Sequence, residues 1–194
     1  MLGYTVLTGA IIPRPIGFIS SISASGHVNL APFSFFNAVC GEPPMVIFAP
    51  MNRTPPKDTL LNVKATGEFV ANIVSEEIAE QMNTTSGDYP PDVNEFDVAK
   101  LTALPSVLVK PPRVAESPVN MECKVKQIIE LSDKPWGGHL VIGEVLLFHV
   151  RDEIIADPVN LFIDPDKLAA IGRMGGPQYS KVHDRIEMIR PVVR

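Results

Sequence analysis

The chain has 194 residues, of which 45% are hydrophobic and 20% charged, and its formal net charge is −5 at pH 7. This apolar content excludes a disordered chain, and the acidic balance with scattered basic residues argues against a protein that binds nucleic acid. The length predicts a single domain over residues 1–194.

The sequence carries no targeting signal that we recognise. Its first 14 residues lack the basic segment and the long apolar stretch of a signal peptide. The most apolar later run, Leu140 to Val150, is much shorter than the roughly 20 residues that a membrane span needs. Cys40 and Cys123 have no CxxC partner and suit a reducing compartment. We therefore expect a cytoplasmic protein that does not contact a membrane.

The first half of the chain predicts short strands and one capped helix. A hairpin is predicted over residues 16–31, and Met45 to Ala49 reads as a buried strand. Thr54 is the predicted N-cap of a helix, with Pro55 at its first position and Gly67 at its end.

The second half of the chain also predicts short strands and short helices. Glu68 to Val74 predicts a strand, Ser75 opens a short helix, and Asp88 to Arg113 reads as loop with a short helix near Glu95. A strand with one buried face begins at Val119, and the apolar run from His139 to Val150 predicts a strand buried on both faces. The chain is therefore expected to be β-dominated α+β, with short peripheral helices around a closed barrel.

Familiar catalytic and metal-binding motifs are absent from the sequence. It contains no GxGxxG after a strand, no GxxxxGK[ST], no HExxH and no GxSxG. The four histidines are isolated from one another and from any acidic cluster, so we predict no metal site.

One segment has the chemistry of an anion site. Arg53, Thr54, Lys57 and Thr59 place hydroxyls and two cations at the amino end of the predicted helix. Free backbone N–H groups and the helix dipole attract anions at such an end. The alternative is an ordinary capped helix with solvated Arg53 and Lys57.

A second unusual segment runs from Asn29 to Asn37, where three phenylalanines interleave with small and polar residues. Phe33, Phe35 and Phe36 either fill the mouth of the barrel or remain exposed and dock a partner. The second alternative describes an interaction module that binds no coloured cofactor.

Nine short motifs, taken in order, resemble the flavin reductase-like family over nearly the whole chain. They are Pro13-Arg14-Pro15-Ile16, Ser20-Ser21-Ile22-Ser23, Gly26, Asn29 to Phe36, Lys57-Asp58-Thr59, Thr66-Gly67-Glu68-Phe69, Asn120-Met121-Glu122-Cys123, Gly143-Glu144-Val145 and Arg173 to Tyr179. The resemblance implies an FMN-binding split β-barrel with antiparallel Greek-key topology. It also implies a homodimer with the flavin near the interface.

The resemblance assigns roles to particular residues. Thr54, Lys57 and Thr59 would hold the phosphate, with Arg53 as a second cation. Arg173 and Tyr179 would close over the flavin or the dinucleotide. The remaining flavin contacts would come from Ser20, Ser21, Ile22, Asn29, Leu30, Ala31, Ser34 and Asn37.

His149 stands where similar reductases present a histidine to the nicotinamide, so it is the candidate catalytic residue. The alternative is a structural histidine at a strand end, exposed to solvent or paired with Asp152.

The function that follows is an NAD(P)H-dependent flavin oxidoreductase that transfers a hydride from nicotinamide to FMN. Because a flavin accepts the hydride on its own ring, the protein needs only to position the reactants. A non-enzymatic flavin-binding or storage protein is the alternative, and the sequence does not separate NADH from NADPH.

Overall fold

The computed structural model describes residues 2–193, so Met1 and Arg194 of the predicted domain lie outside it. Its helices are α1 (Leu2–Ala10), α2 (Asp58–Thr66), α3 (Ala79–Thr84), α4 (Glu95–Ala99) and α5 (Pro165–Leu168), with single 3-10 turns at Glu76–Ile78 and Asp152–Ile154. Its strands are β1 (Arg14–Pro15), β2 (Gly17–Ile22), β3 (Val28–Phe33), β4 (Phe36–Gly41), β5 (Pro44–Phe48), β6 (Glu68–Ile73), β7 (Ala103–Leu104), β8 (Arg113–Val114), β9 (Val119–Ser132), β10 (Gly138–Val150), β11 (Ile155–Asp157), β12 (Phe162–Ile163), β13 (Ile171–Arg173) and β14 (Tyr179–Lys181).

A seven-stranded antiparallel sheet organises the molecule, in the order β3-β2-β6-β9-β10-β5-β4. Strands β3 and β4 form its two edges, and in the described residues no hydrogen-bonded ladder joins them. Side chains from both edges nevertheless enter one core, which requires the sheet to curve around it. The predicted split β-barrel is confirmed, whereas the expectation of a fully closed barrel is wrong because the β3 and β4 edges stay unpaired.

Aromatic rings fill the inside of the curved sheet. The ring of Phe48 lies 5.1 Å from that of Phe33 and 5.2 Å from that of Phe69, measured between centroids. The Phe69 ring also explains Gly143, where an added Cβ would stand 2.3 Å from the Phe69 Cζ atom. Phe33 and Phe36 are both buried in this core, so the alternative in which they dock a partner is wrong for these two rings, whereas Phe35 is half-buried.

A second layer covers the outer face of β2 and β3. Phe18 and Leu30 point to this face and share an apolar cluster with Met82 of α3 and Phe96 of α4. The short helices predicted after Ser75 and near Glu95 are therefore confirmed, and their apolar faces hold them against the sheet.

Residues 107–114, here called the strap, cross the outer face of the sheet mostly as irregular backbone. Side chains of the sheet bind their backbone polar groups. Glu122 accepts from the N–H groups of Val107, Leu108 and Val109 at 2.8, 2.6 and 3.2 Å. Glu68 accepts from Lys110, Ser20 donates to the Pro112 carbonyl, and Asn72 and Asn120 bind the N–H and C=O of Val114. These bonds satisfy polar backbone that forms no long ladder of its own.

The predicted start of α2 is wrong. Its N-cap is Lys57 and not Thr54, and the helix begins at Asp58. A residue before a proline avoids the helical conformation, so Thr54 and Pro55, which each precede a proline, do not begin the helix. The predicted end is confirmed, because Gly67 caps the helix with φ of 70°.

The expectation that β10 is buried on both faces is also wrong. Leu146 and Phe148 are exposed, although Val141 and Val145 of the same strand are in the core. The apolar run is therefore buried on its core side up to Val145 and becomes exposed beyond the register shift between Val145 and Leu147. Helix α1, which the sequence did not predict, has no buried residue at all.

Candidate functional site

A polar cavity lies where β3, the start of α2 and the loop after α3 meet. Its wall includes Asn29, Arg53, Lys57, Thr59, Ser86 and Glu95. We call it the anion cavity, because two cations line it and the first turn of α2, where helices have N–H groups without intrahelical partners, borders it.

The two cations of this cavity are incompletely paired. The guanidinium of Arg53 binds Asp88 through Nη1, but its Nε atom is buried without a hydrogen-bond partner in the described structure. Burial, followed by the positive charge of Arg53, lowers the pKa of Lys57. A bound dianion would relieve both effects by supplying acceptors and negative charge.

Two acidic residues, Asp58 and Glu95, line the same cavity. Glu95 is buried, and its Oε2 atom accepts a hydrogen bond from the Leu30 N–H at 2.9 Å. Burial raises the pKa of Glu95 and so favours its neutral form. Asn29 and Thr59 complete the wall through a 2.9 Å contact between the Asn29 amide and Thr59 Oγ1.

Two larger cavities of about 170 Å³ each flank Pro32 and Ser34, against about 60 Å³ for the anion cavity. The first, here the ring cavity, is lined by Ile16, Pro32, Ser34, Asn83, Arg173 and Tyr179. The second, here the aromatic cavity, is lined by Tyr4, Phe33, Ser34, Phe35, Met51 and Lys57. Pro32 borders all three cavities, so they form one continuous region of the surface.

The structure brings together about half of the residues that the sequence nominated. Asn29, Ala31, Arg53, Lys57 and Thr59 line the anion cavity, and Ser34, Arg173 and Tyr179 line the ring cavity. The Arg173 guanidinium stacks on the Tyr179 ring at 4.6 Å from its centroid.

The other nominated residues lie elsewhere. Ser20 and Ser21 are fully buried, and their hydroxyls already bind the Pro112 carbonyl and the Asn62 amide. Leu30 is part of the outer core, Thr54 is exposed ahead of α2, and Asn37 is on the exposed edge strand β4. Ile22, at the end of β2, is half-buried and lines none of these three cavities.

His149 is also outside this region. Across the sheet, His149 pairs with Asn120, Asn120 with Asn72, Asn72 with Phe18, and Phe18 with Pro32. His149 is therefore four strands away from Pro32. At about 4.8 Å per strand this is roughly 19 Å along the sheet. His149 Nε2 lies 2.6 Å from Glu122 Oε1, so its partner is Glu122 and not Asp152.

The Glu122 carboxylate that binds His149 is fully buried beneath the strap. Burial raises its pKa, but the backbone donors of the strap and His149 outweigh this and hold the pKa of Glu122 below its usual range. The charge is therefore stabilised by hydrogen bonds at a site where water is excluded.

Sequence reasoning missed Arg14 as a residue that shapes the site. Its Nη1 donates to the carbonyls of Thr8 and Ile11 at 2.6 and 2.7 Å, and its Nη2 to that of Met174 at 3.0 Å. Its Nε lies 3.4 Å from Ser34 Oγ. This buried arginine thus joins three segments around the ring cavity, and its place in the Pro13-Arg14-Pro15 motif was the available signal.

Tyr4, Ser86 and Asp88 were also missed. Tyr4 reaches the aromatic cavity from α1 and lies 5.7 Å from the Trp136 ring. These residues come from segments without a recognisable motif, and only the folded chain places them beside β3.

Residues 2–193 contain no group of three or more His, Cys, Asp or Glu side chains arranged to hold a metal ion. Over the same residues, no helix is long and apolar enough to cross a membrane.

Comparison with known proteins places this region in a family context. The sequence profile described as "Flavin reductase like domain" matches residues 9–168. An uncharacterized protein of Aquifex aeolicus is 44% identical over 180 residues, covering 92% of this chain and 89% of that protein.

Two solved structures share the fold closely. Nitrilotriacetate monooxygenase component B from Bacillus cereus has a TM-score of 0.90 and 34% identity, covering 96% of this chain and 92% of that one. The 2-nitrobenzoate 2-nitroreductase NbaA of Pseudomonas fluorescens has a TM-score of 0.88 and 34% identity, covering 98% of this chain and 91% of that one.

Proposed function

The chain belongs to the flavin reductase-like family, and from this premise we propose that it binds FMN and transfers a hydride from NAD(P)H to that flavin. The two similar structures, those of a monooxygenase component and a nitroreductase, support a flavin-related oxidoreductase. The choice of FMN rests on the three adjoining cavities described above.

The observation that carries the proposal is the unsatisfied positive charge of the anion cavity. Arg53 Nε is buried without a partner, and Lys57 forms no ion pair within residues 2–193. A terminal phosphate, which FMN has and riboflavin lacks, supplies the missing acceptors. FAD also carries phosphates, but we find no separate adenosine-recognition motif in the sequence.

The residues around Ser34 would hold the planar part of the ligand. Ser34 presents a hydroxyl to the ring cavity, and Arg14 fixes the backbone on three sides of it. The stacked pair of Arg173 and Tyr179 forms another part of the wall and offers the ligand an aromatic surface and a positive charge. When bound, FMN supplies the hydride-accepting chemistry, so these side chains need only to bind and orient.

The proposed role of His149 at the nicotinamide requires a second protomer. Within one chain, His149 is four strands from Pro32 and already binds Glu122. We therefore propose that the neighbouring protomer of a homodimer brings His149 to the site.

A homodimer is supported by exposed apolar side chains outside the core. Leu146 and Phe148 of β10 and the strap residues Val107 and Leu108 are all exposed on this chain. Large exposed apolar groups of this kind favour burial against a partner. Light scattering at micromolar concentration should give the mass of a dimer, and a flavin-bound monomer would contradict the proposal. A cytoplasmic location remains a prediction.

The deciding experiment is anaerobic stopped-flow mixing of the FMN-loaded protein with NADH and with NADPH. We expect at least one of them to bleach the flavin absorbance, while His149→Ala slows bleaching without changing FMN affinity. If neither nucleotide bleaches the wild-type complex, the protein binds or stores flavin without reducing it. Failure to bind FMN at all would overturn the whole proposal.

A further inference from the structure

One cavity bounded by the described residues has no role in the function proposed above. It has a volume of about 510 Å³ and opens between α3 and the β13–β14 hairpin. We call it the hairpin cavity; its wall includes Glu76, Glu80, Met82, Asn83, Tyr179 and Lys181. A cavity of this size accommodates a small organic ligand.

The hairpin cavity shares a wall with the ring cavity. Met82, Asn83 and Tyr179 line both, and the Tyr179 hydroxyl lies 3.4 Å from Asn83 Oδ1 at the boundary between them. A ligand in the hairpin cavity would therefore lie beside the planar group that we assign to the ring cavity.

Its floor is suited to a flat apolar ligand. Met82 and Ile171 are buried members of the outer core, and Ala79 packs against the same cluster. The Tyr179 ring adds an aromatic surface, and a methionine sulfur interacts favourably with aromatic rings.

Its rim carries excess negative charge. Glu76 is compensated, since Lys181 Nζ and His183 Nε2 each lie 2.5 Å from its carboxylate. Glu80, by contrast, has no ion-pair or side-chain hydrogen-bond partner within residues 2–193. An anionic ligand would be repelled at this rim, whereas a neutral or cationic one would not.

We infer that the hairpin cavity binds neutral or cationic planar aromatic ligands more tightly than anionic ones. The hairpin cavity would then be the site of the second reactant beside the flavin, and this assignment rests on the proposed function. Binding of the aromatic ligand itself does not depend on that function.

The test uses two probes of matched shape, 2-naphthamide and the anion 2-naphthoate, titrated calorimetrically into the full chain with and without FMN. We expect 2-naphthamide to bind about fivefold more tightly than 2-naphthoate, the scale expected for one solvent-screened charge. Glu80→Gln should reduce this preference to less than about twofold. Glu77→Gln, which removes the same charge from an exposed neighbour outside the cavity, should leave the preference unchanged.

A second variant tests the location. Ala79→Phe places a ring in the cavity and should abolish 2-naphthamide binding, whereas FMN affinity, followed by flavin fluorescence, should stay unchanged. Equal binding of the two probes, no effect of Ala79→Phe, or displacement of 2-naphthamide by FMN would each overturn the inference. If 2-naphthamide binds as expected and FMN does not bind, the site stands and the proposed function fails.

Discussion

The anion cavity and the strap both hold charged side chains away from water, but only the strap pairs them fully. Beneath the strap, the buried carboxylate of Glu122 accepts three backbone N–H groups and contacts His149. In the anion cavity, Arg53 keeps a buried Nε without a partner, and Lys57 has no ion pair within residues 2–193.

This difference separates a charge that maintains the fold from a charge that awaits a ligand. A buried charge with complete hydrogen bonding contributes to stability, and removing its partners is costly. A charge left incompletely paired costs stability until something binds it. Variants of the strap should therefore change unfolding, and variants of the cavity should change binding.

The largest effect is expected at the strap. Glu122→Ala leaves several backbone donors without an acceptor, so we expect the free energy of unfolding to fall by at least about 3 kcal/mol. Urea denaturation followed by circular dichroism measures this loss. Glu130→Ala, which removes an exposed carboxylate from the same strand, should change stability by no more than about 0.5 kcal/mol. If Glu122→Ala were as stable as the wild type, the strap would not depend on its hydrogen bonds to Glu122.

The next effect is expected in the cavity. Lys57→Ala removes a charge-assisted hydrogen bond to the phosphate, so FMN binding should weaken by about 1.5–3 kcal/mol, with little change in unfolding. Fluorescence titration with FMN measures this loss, and the exposed Lys126→Ala provides the control. An unchanged affinity in folded Lys57→Ala would remove the phosphate site from the cavity.

Acidification should lower the stability that Glu122 contributes through the strap, and this effect should be smaller than those of the two substitutions above. The pKa of Glu122 is below its usual range in the folded protein, so its contribution to stability is complete above the ordinary carboxyl pKa. That contribution is lost as the pH falls through the lowered value. Unfolding measured from pH 7 to pH 3 should show a decline that is weaker in Glu122→Gln. Parallel pH profiles for the two proteins would contradict this assignment.

The smallest effect is expected at Glu95, the acidic wall of the anion cavity. Glu95→Gln keeps an acceptor for the Leu30 N–H but removes repulsion toward the phosphate, so FMN should bind about two- to fivefold more tightly at pH 8. Since burial raises the pKa of Glu95, wild type should approach the variant as the pH falls. The exposed Asp92→Asn should show no gain. Weaker binding by Glu95→Gln would mean that the carboxylate helps to hold the ligand.

The elements that the sequence predicted correctly are those with local signals. Alternation and breakers located β2, β3, β5, β6 and the short helices correctly, because these signals are local. The prediction that His139 to Val150 is buried on both faces was wrong, because an apolar segment exposed to solvent has the same composition as a buried one.

The anion cavity could be predicted from a local motif, whereas the contacts of the strap could not. Arg53, Lys57 and Thr59 lie within seven residues of one another, and their chemistry was visible as a motif. The partners of Glu122 come from residues 107–109 and from His149, which no periodicity connects. His149 was therefore interpreted from the family resemblance, whereas in the structure it is hydrogen-bonded to a buried carboxylate.

The anchoring of the strap has a consequence for how the molecule tolerates change. The sheet binds the strap through backbone atoms, which are the same for nearly every amino acid, while the side chains of Val107 and Leu108 remain exposed. Substitutions at these two positions leave the anchoring bonds in place, so the outward surface of the strap can diversify while its path stays fixed. The strap can therefore change the chemistry that it offers to the proposed second protomer without changing the path of its backbone.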